Sequence, residues 1–261
     1  AVDRMTDKSS DPWYIPWILH RPEFKNRYFY DVCGPINLVT GALLPANDER
    51  ISHIIRWTID KEHHGSLEHV VSGDNCLGNM MSGACFYSQD LAVTLLQRER
   101  VEDFLRILYS LTTAAISHQT LTTTEWGDNT QPHIHSISSL INIFRTMLLD
   151  DKRPDRLCLL PGAPRRWFRH GEEIHIRQAP TDYGPLSLSS YSHLADGFIE
   201  INLTVPDRIA DTPIYVKARL PRGYRIKRVT LDGQKHNDVQ GEWVILRQKK
   251  GQINMIITVG D

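Results

Sequence analysis

Seven side chains that can do chemistry crowd into one stretch, residues 120–148, TLTTTEWGDNTQPHIHSISSLINIFRTML. They are Glu125, Trp126, Asp128, Asn129, Gln131, His133 and His135. A carboxylate beside an indole, with amides and imidazoles a few residues on, suits work on a hydroxylated ring. The carboxyl exchanges a proton, the amides hold hydroxyls, and the indole face covers a pyranose. A helix-capping loop needs only one or two such groups, so the density favours a site over a cap.

Two other segments carry comparable groups. Asp31 follows DPWYIPWILHRPEFKNRYFY, an aromatic and proline-rich run that cannot be one continuous helix. Glu68, His69, Asp74 and Asn75 lie in the long glycine-bearing connection HHGSLEHVVSGDNCLGNMMSG, and loops of that length are often functional. His63, His64 and His69 with Glu68 match no known metal-ligand spacing, so neither a metal nor a cofactor is expected.

The elements that must hold these groups follow from periodicity. Ile137, Leu140, Ile141, Phe144, Met147 and Leu148 recur at three- and four-residue steps, which predicts an amphipathic helix with the polar loop at its mouth. Earlier, Ile36, Val39, Leu43 and Leu44 form one helical face that Pro45 ends. Asn47 or Asp48 caps the next helix, with Ile51, Ile54, Ile55, Thr58 and Ile59 on a stripe. The short turn between those two predicts an antiparallel hairpin. A second pair follows: Tyr87, Leu91, Leu95 and Leu96, then Val101, Phe104, Leu105, Leu108, Leu111 and Ala115, with Glu102 and Arg106 spaced for an ion pair. From about residue 35 to 150 the chain alternates helices with tight turns and long polar loops, the pattern of an α/α toroid whose long loops carry the site.

After Asp150 the charged, proline-bearing run DDKRPD marks a domain boundary. Beyond it the period drops to two: Glu173–Ile176, then Ile199, Ile201, Leu203 and Val205, then Ile214, Val216, Ala218 and Leu220. Asp232-Gly233 signals a hairpin turn, and Val244–Leu246 and Ile253–Val259 close the series. The expected fold class is therefore multidomain α + β. A partial (α/α) toroid of helical hairpins spans 1–150 and an antiparallel β-sandwich spans 151–261. Trp167, Tyr183 and Trp243 read as core or interface aromatics of the sandwich.

Composition narrows the partners. A formal net charge of −1 argues against nucleic acid, which selects a basic excess. The clusters Arg165, Arg166, Arg169 and Arg222, Arg225, Lys227, Arg228 read as solvated faces. No apolar run reaches the ~18 residues of a membrane span, so no membrane partner is expected. The polar start AVDRMTDKSSDPW shows no signal peptide and reads as a cut or processed end. Cys33, Cys76, Cys85 and Cys158 include no CxxC pair, so buried thiols are expected, or a Cys76–Cys85 disulfide in an exported protein.

The sequence TEWGDNTQPHIHSISSLINIFRTML, followed by LLPGAPRRWF and GEEIHIRQAPTDYGPLSLSSYS, resembles the C-terminal portion of six-hairpin (α/α)6-barrel glycoside hydrolases. The likeness is to the α-L-rhamnosidase group in particular. That resemblance implies a carbohydrate substrate and a barrel completed by an upstream segment, because fewer hairpins are present than a full ring needs. It implies Glu125 as the base that activates water, Trp126 as an apolar wall, and Asn129, His133 and His135 as holders of substrate hydroxyls, with Asp128, Glu68 and Asp31 nearby. Inverting hydrolysis places two carboxyl groups about 6.5–9.5 Å apart; candidates for the acid are Asp31, Glu68, Asp74 and Asp128, although the family places its acid upstream. Two other classes remain open: a non-catalytic carbohydrate-binding or scaffold module, and a polysaccharide lyase using His133 or His135 as base.

Overall fold

A computed structural model describes residues 2–9, 11, 13, 36–41, 43–56, 85–114, 116–117, 119–123, 132–209 and 211–260. The protein has a multidomain α + β fold, with two compact units, Ala1–Arg145 and Thr146–Asp261.

In the first unit the described helices are α1 (Val2–Met5), a helical turn at 36–40, α2 (Glu49–Ile55), α3 (Cys85–Gln97), α4 (Val101–Ala114) and α5 (Ile134–Leu148). The last residues of α5 belong to the second unit. Asp48 caps α2 as the sequence predicts: its carboxylate accepts the Arg50 N–H at 3.0 Å and the Arg50 guanidinium at 2.7 Å. That guanidinium holds the Asp48 carboxyl below the ordinary carboxylate range. Ile51, Ile54 and Ile55 are buried; Thr58 and Ile59 lie outside the described residues. The three residues 98–100 join α3 to α4, so the two helices pack as a hairpin.

Several predictions change in detail. The helix at 36 ends at Thr40 rather than Pro45, with Leu43 and Leu44 N–H both turned back onto the Leu38 carbonyl. Leu43 is consequently exposed. Arg106 pairs with Asp103 at 3.3 Å. The face of α5 is rotated: Ser136, Ser139, Leu140, Ile143 and Met147 are buried, whereas Ile141 and Phe144 are 60% and 41% exposed. Leu140 and Met147, which the periodicity counted, keep their place, and the buried side extends onto the small Ser136 and Ser139.

The second unit holds two sheets. One has the order β1 (Leu149–Asp150), β2 (Leu157–Leu159), β6 (Ile214–Lys217), β10 (Trp243–Leu246), β9 (Val239–Gln240). The other runs β3 (Glu173–Ala179), β4 (Leu186–His193), β5 (Phe198–Val205), β11 (Gly251–Gly260), β7 (Arg225–Leu231), β8 (Gln234–His236). Inward residues of both sheets, among them Leu159, Val216, Leu246, Leu188, Ile201 and Ile257, share one core. Trp167 and Tyr183 pack against it. The sandwich is not wholly antiparallel, because β2 and β6 run parallel, with Cys158 opposite Tyr215.

Asp232 and Gly233 turn β7 into β8 with φ of 50° and 79°, the left-handed pair of a tight hairpin turn. Within the run DDKRPD, Asp150 and Asp151 are buried, and Asp150 accepts from Arg153 at 2.7 Å. Over the outward face of the six-stranded sheet lies an open concavity of about 550 Å³. No described helix is long and apolar enough to cross a membrane.

Candidate functional site

The chain entering α5 is pinned before the helix begins. Beyond α4, Ile116 and Thr123 form an isolated antiparallel bridge. The Ser117 N–H donates to the Thr122 carbonyl at 2.8 Å, and the Leu121 N–H to the Ser117 carbonyl at 2.8 Å. Thr123 is buried and meets His133 twice. The His133 N–H donates to the Thr123 carbonyl at 3.0 Å, and Thr123 Oγ1 donates to the His133 carbonyl at 2.9 Å. Thr123 and His133 are thereby fastened to each other at the start of the helix. Glu125, Trp126, Asp128 and Asn129 fall between them in sequence and lie outside the described residues, as do Asp31 and Glu68.

His133 serves the helix. Its Nδ1 accepts the Ser136 N–H at 3.2 Å and pairs with the Ser136 hydroxyl at 2.7 Å. A ring nitrogen thus stands where an Asp or Ser oxygen usually caps. Two residues on, His135 is exposed, its ring centroid 6.2 Å from that of His133.

Across from this mouth, α3 carries Gln89 and Asp90. Asn142 Nδ2 of α5 lies 3.5 Å from Gln89 Oε1. Asp90 is half-buried, hydrogen-bonded to the Thr40 hydroxyl and within electrostatic reach of His135. Burial pushes its carboxyl above the ordinary carboxylate range; the Thr40 bond and the His135 charge act the other way without cancelling it. A carboxyl whose pKa burial raises is better suited to giving up a proton as a general acid than an ordinary one.

Sequence reasoning passed over Asp90. The available signal was a single acid in SQDLAVTLL, a run in which every residue from 88 to 96 is at least half-buried. Its partners Thr40 and His135 stand far away along the chain, and only folding brings the three together. Among the described residues no group of three metal-ligating side chains assembles.

No family model and no curated protein matches the chain. Among solved structures it is similar to the GH127 β-arabinofuranosidase, with TM-score 0.43 and 13% identity over 92% of this chain and 45% of that one. It is also similar to a structure described as a glycoside hydrolase, with TM-score 0.37 and 10% identity over 88% of this chain and 46% of the other. The chain spans less than half the length of either.

Proposed function

We propose that this chain is the helical-barrel end (1–150) and β-domain (151–261) of a six-hairpin glycoside hydrolase. It is rhamnosidase-like and cleaves a plant or microbial glycan with inversion. Glu125 activates the water, Trp126 forms an apolar wall, and Asp128, Asn129, His135, Asp31 and Glu68 contact the sugar. His133, as the cap of α5, sets where His135 stands, and Asp90 protonates the leaving oxygen.

What supports this reading is the half-buried Asp90, whose carboxyl burial pushes upward and which lies within electrostatic reach of His135, two residues beyond the bonds that join His133 to Thr123. A base that takes a proton from water and a separate acid that gives one to the glycosidic oxygen are the two groups inversion needs.

Kinetics of Asp90→Asn and Glu125→Gln in the intact protein test it. With an alkyl leaving group, each variant loses about 10²–10⁴-fold in kcat. With a nitrophenyl leaving group, which departs without protonation, Asp90→Asn recovers most of its rate and Glu125→Gln does not. Equal losses on both substrates would remove Asp90 from the acid role, and near-parent turnover by Glu125→Gln would remove the base. A product absorbing in the ultraviolet would transfer the chemistry to a lyase.

A further inference from the structure

The outward face of the six-stranded sheet has an order that a merely solvated face does not require. Strand register lines up His175 of β3, Ser189 of β4, Asn202 of β5 and Asn254 of β11 in one row. Asp232 at the β7–β8 turn extends it, exchanging bonds with Asn254: the Asp232 N–H donates to the Asn254 carbonyl at 2.8 Å, and the Asn254 N–H to Asp232 Oδ1 at 2.9 Å. On one side of this row lie Ser187, Thr204 and Gln252, themselves in register. On the other lie Tyr191 and Glu200. The concavity of about 550 Å³ opens over the first two rows, within the size range of ligand sites.

The polar groups are already oriented. Asn254 Nδ2 donates to Glu200 Oε1 at 2.8 Å and to Asn202 Oδ1 at 3.0 Å, which uses both of its hydrogens and leaves Oδ1 as an outward acceptor. Asn202 Nδ2 donates to the same Glu200 oxygen at 3.1 Å and keeps a second N–H. The Ser187 hydroxyl oxygen accepts the Gln178 N–H at 2.9 Å, so its own proton points elsewhere. Donors and acceptors therefore alternate across a floor whose strands are ~4.8 Å apart, a spacing comparable to one pyranose.

We propose that this face is a second glycan-binding surface that takes a neutral oligosaccharide lying across β4, β5 and β11. The chemistry selects the occupant. A protein partner needs an apolar or aromatic patch centre, whereas the lining side chains that point outward here are hydroxyls, amides and a carboxylate. A uronate chain would meet Glu200 and Asp232 as like charges. A neutral sugar presents hydroxyls that give and accept in alternation, as this floor does. Tyr191, edge-on to His175 at 5.5 Å, supplies an apolar flank at one end.

The surface shares with the proposed function only the class of ligand, since none of its residues belongs to the hydrolytic site. The test uses the intact protein carrying Glu125→Gln, so that turnover does not consume the probe. Titration calorimetry is run with neutral linear tri- to hexasaccharides of gluco, xylo, manno, galacto and arabino type, and with oligogalacturonate. Binding of at least one neutral series, with oligogalacturonate silent, is expected. Adding Asn202→Ala and Asn254→Ala then weakens it about tenfold or more, with the thermal midpoint retained.

An intermediate variant, Asn202→Ser, keeps a polar side chain and loses less. Absence of binding by every neutral series, an unchanged affinity in the double variant, or equal binding of oligogalacturonate overturns the proposal. The same two substitutions in the Glu125 background leave turnover of a nitrophenyl monosaccharide unaltered. A protein that binds here but hydrolyses nothing upholds this surface and defeats the hydrolase reading.

Discussion

Burial raises the pKa of the Asp90 carboxyl above its ordinary value, and this has a thermodynamic signature. Its folded-state value lies above the ordinary 3.8. Between those two values the folded chain binds more proton than the unfolded one, so the contribution of the neutral acid is complete below about pH 3.8. It is lost as pH rises through the folded value. Asp90→Asn is neutral at every pH. The variant should therefore unfold at higher denaturant than the parent at about pH 7, and the difference should vanish in acid. Identical midpoints at both pH values would mean that the carboxyl is not perturbed.

His53 titrates with the opposite result. Its ring stacks on Trp13 at 4.2 Å, and Nδ1 accepts the Trp13 N–H at 2.8 Å. Burial and then the nearby Arg56 charge hold it below the ordinary 6.5, against Glu49 and Asp11. The unfolded chain therefore binds more proton in the window from 6.5 down to that lowered value. The stability this histidine confers is present above 6.5 and falls away as the solution is acidified. Urea unfolding across this range should show the decline in the parent and a flatter profile in His53→Phe, which keeps a ring but takes no proton.

At the scale of elements, periodicity located the helices and most strands, because alternation of two and recurrence of three to four report which residues must leave water. It failed where small polar residues do the packing. Ser136 and Ser139 are buried in α5, yet a hydropathy pattern assigns them outward and so turns the helix by part of a revolution. For the same reason β4, with its serines at 187, 189, 190 and 192, was not singled out, although it sits inside the six-stranded sheet. The rotation is testable with two adjacent residues. Ile143→Ala removes a fully buried side chain and should cost about 2–5 kcal/mol. Phe144→Ser should stay within about 0.5 kcal/mol of the parent. The reverse order in chemical unfolding would restore the face read from the sequence. The candidate site was legible only where it is local. The cluster at the mouth of α5 is contiguous in sequence, while Thr40, Asp90 and His135 meet only through helix packing.

At the scale of the whole molecule, the second unit carries a core of its own, drawn from both sheets between Leu149 and Val259. Such a unit has what an independent domain requires. Residues 146–261 expressed alone should unfold in one cooperative transition with a near-ultraviolet dichroism signal from Trp167 and Trp243. A fragment that binds a hydrophobic dye and melts without cooperativity would show that the rest of the chain is needed.

The paired bonds between Thr123 and His133 have an evolutionary consequence. A segment whose two ends are fastened to each other can be exchanged wholesale, because the entropy of bringing those ends together changes little with its length. Thr123 and His133 therefore hold the start of α5 in place whatever sequence the chain carries between them, and that sequence is free to vary while the helix stays as it is.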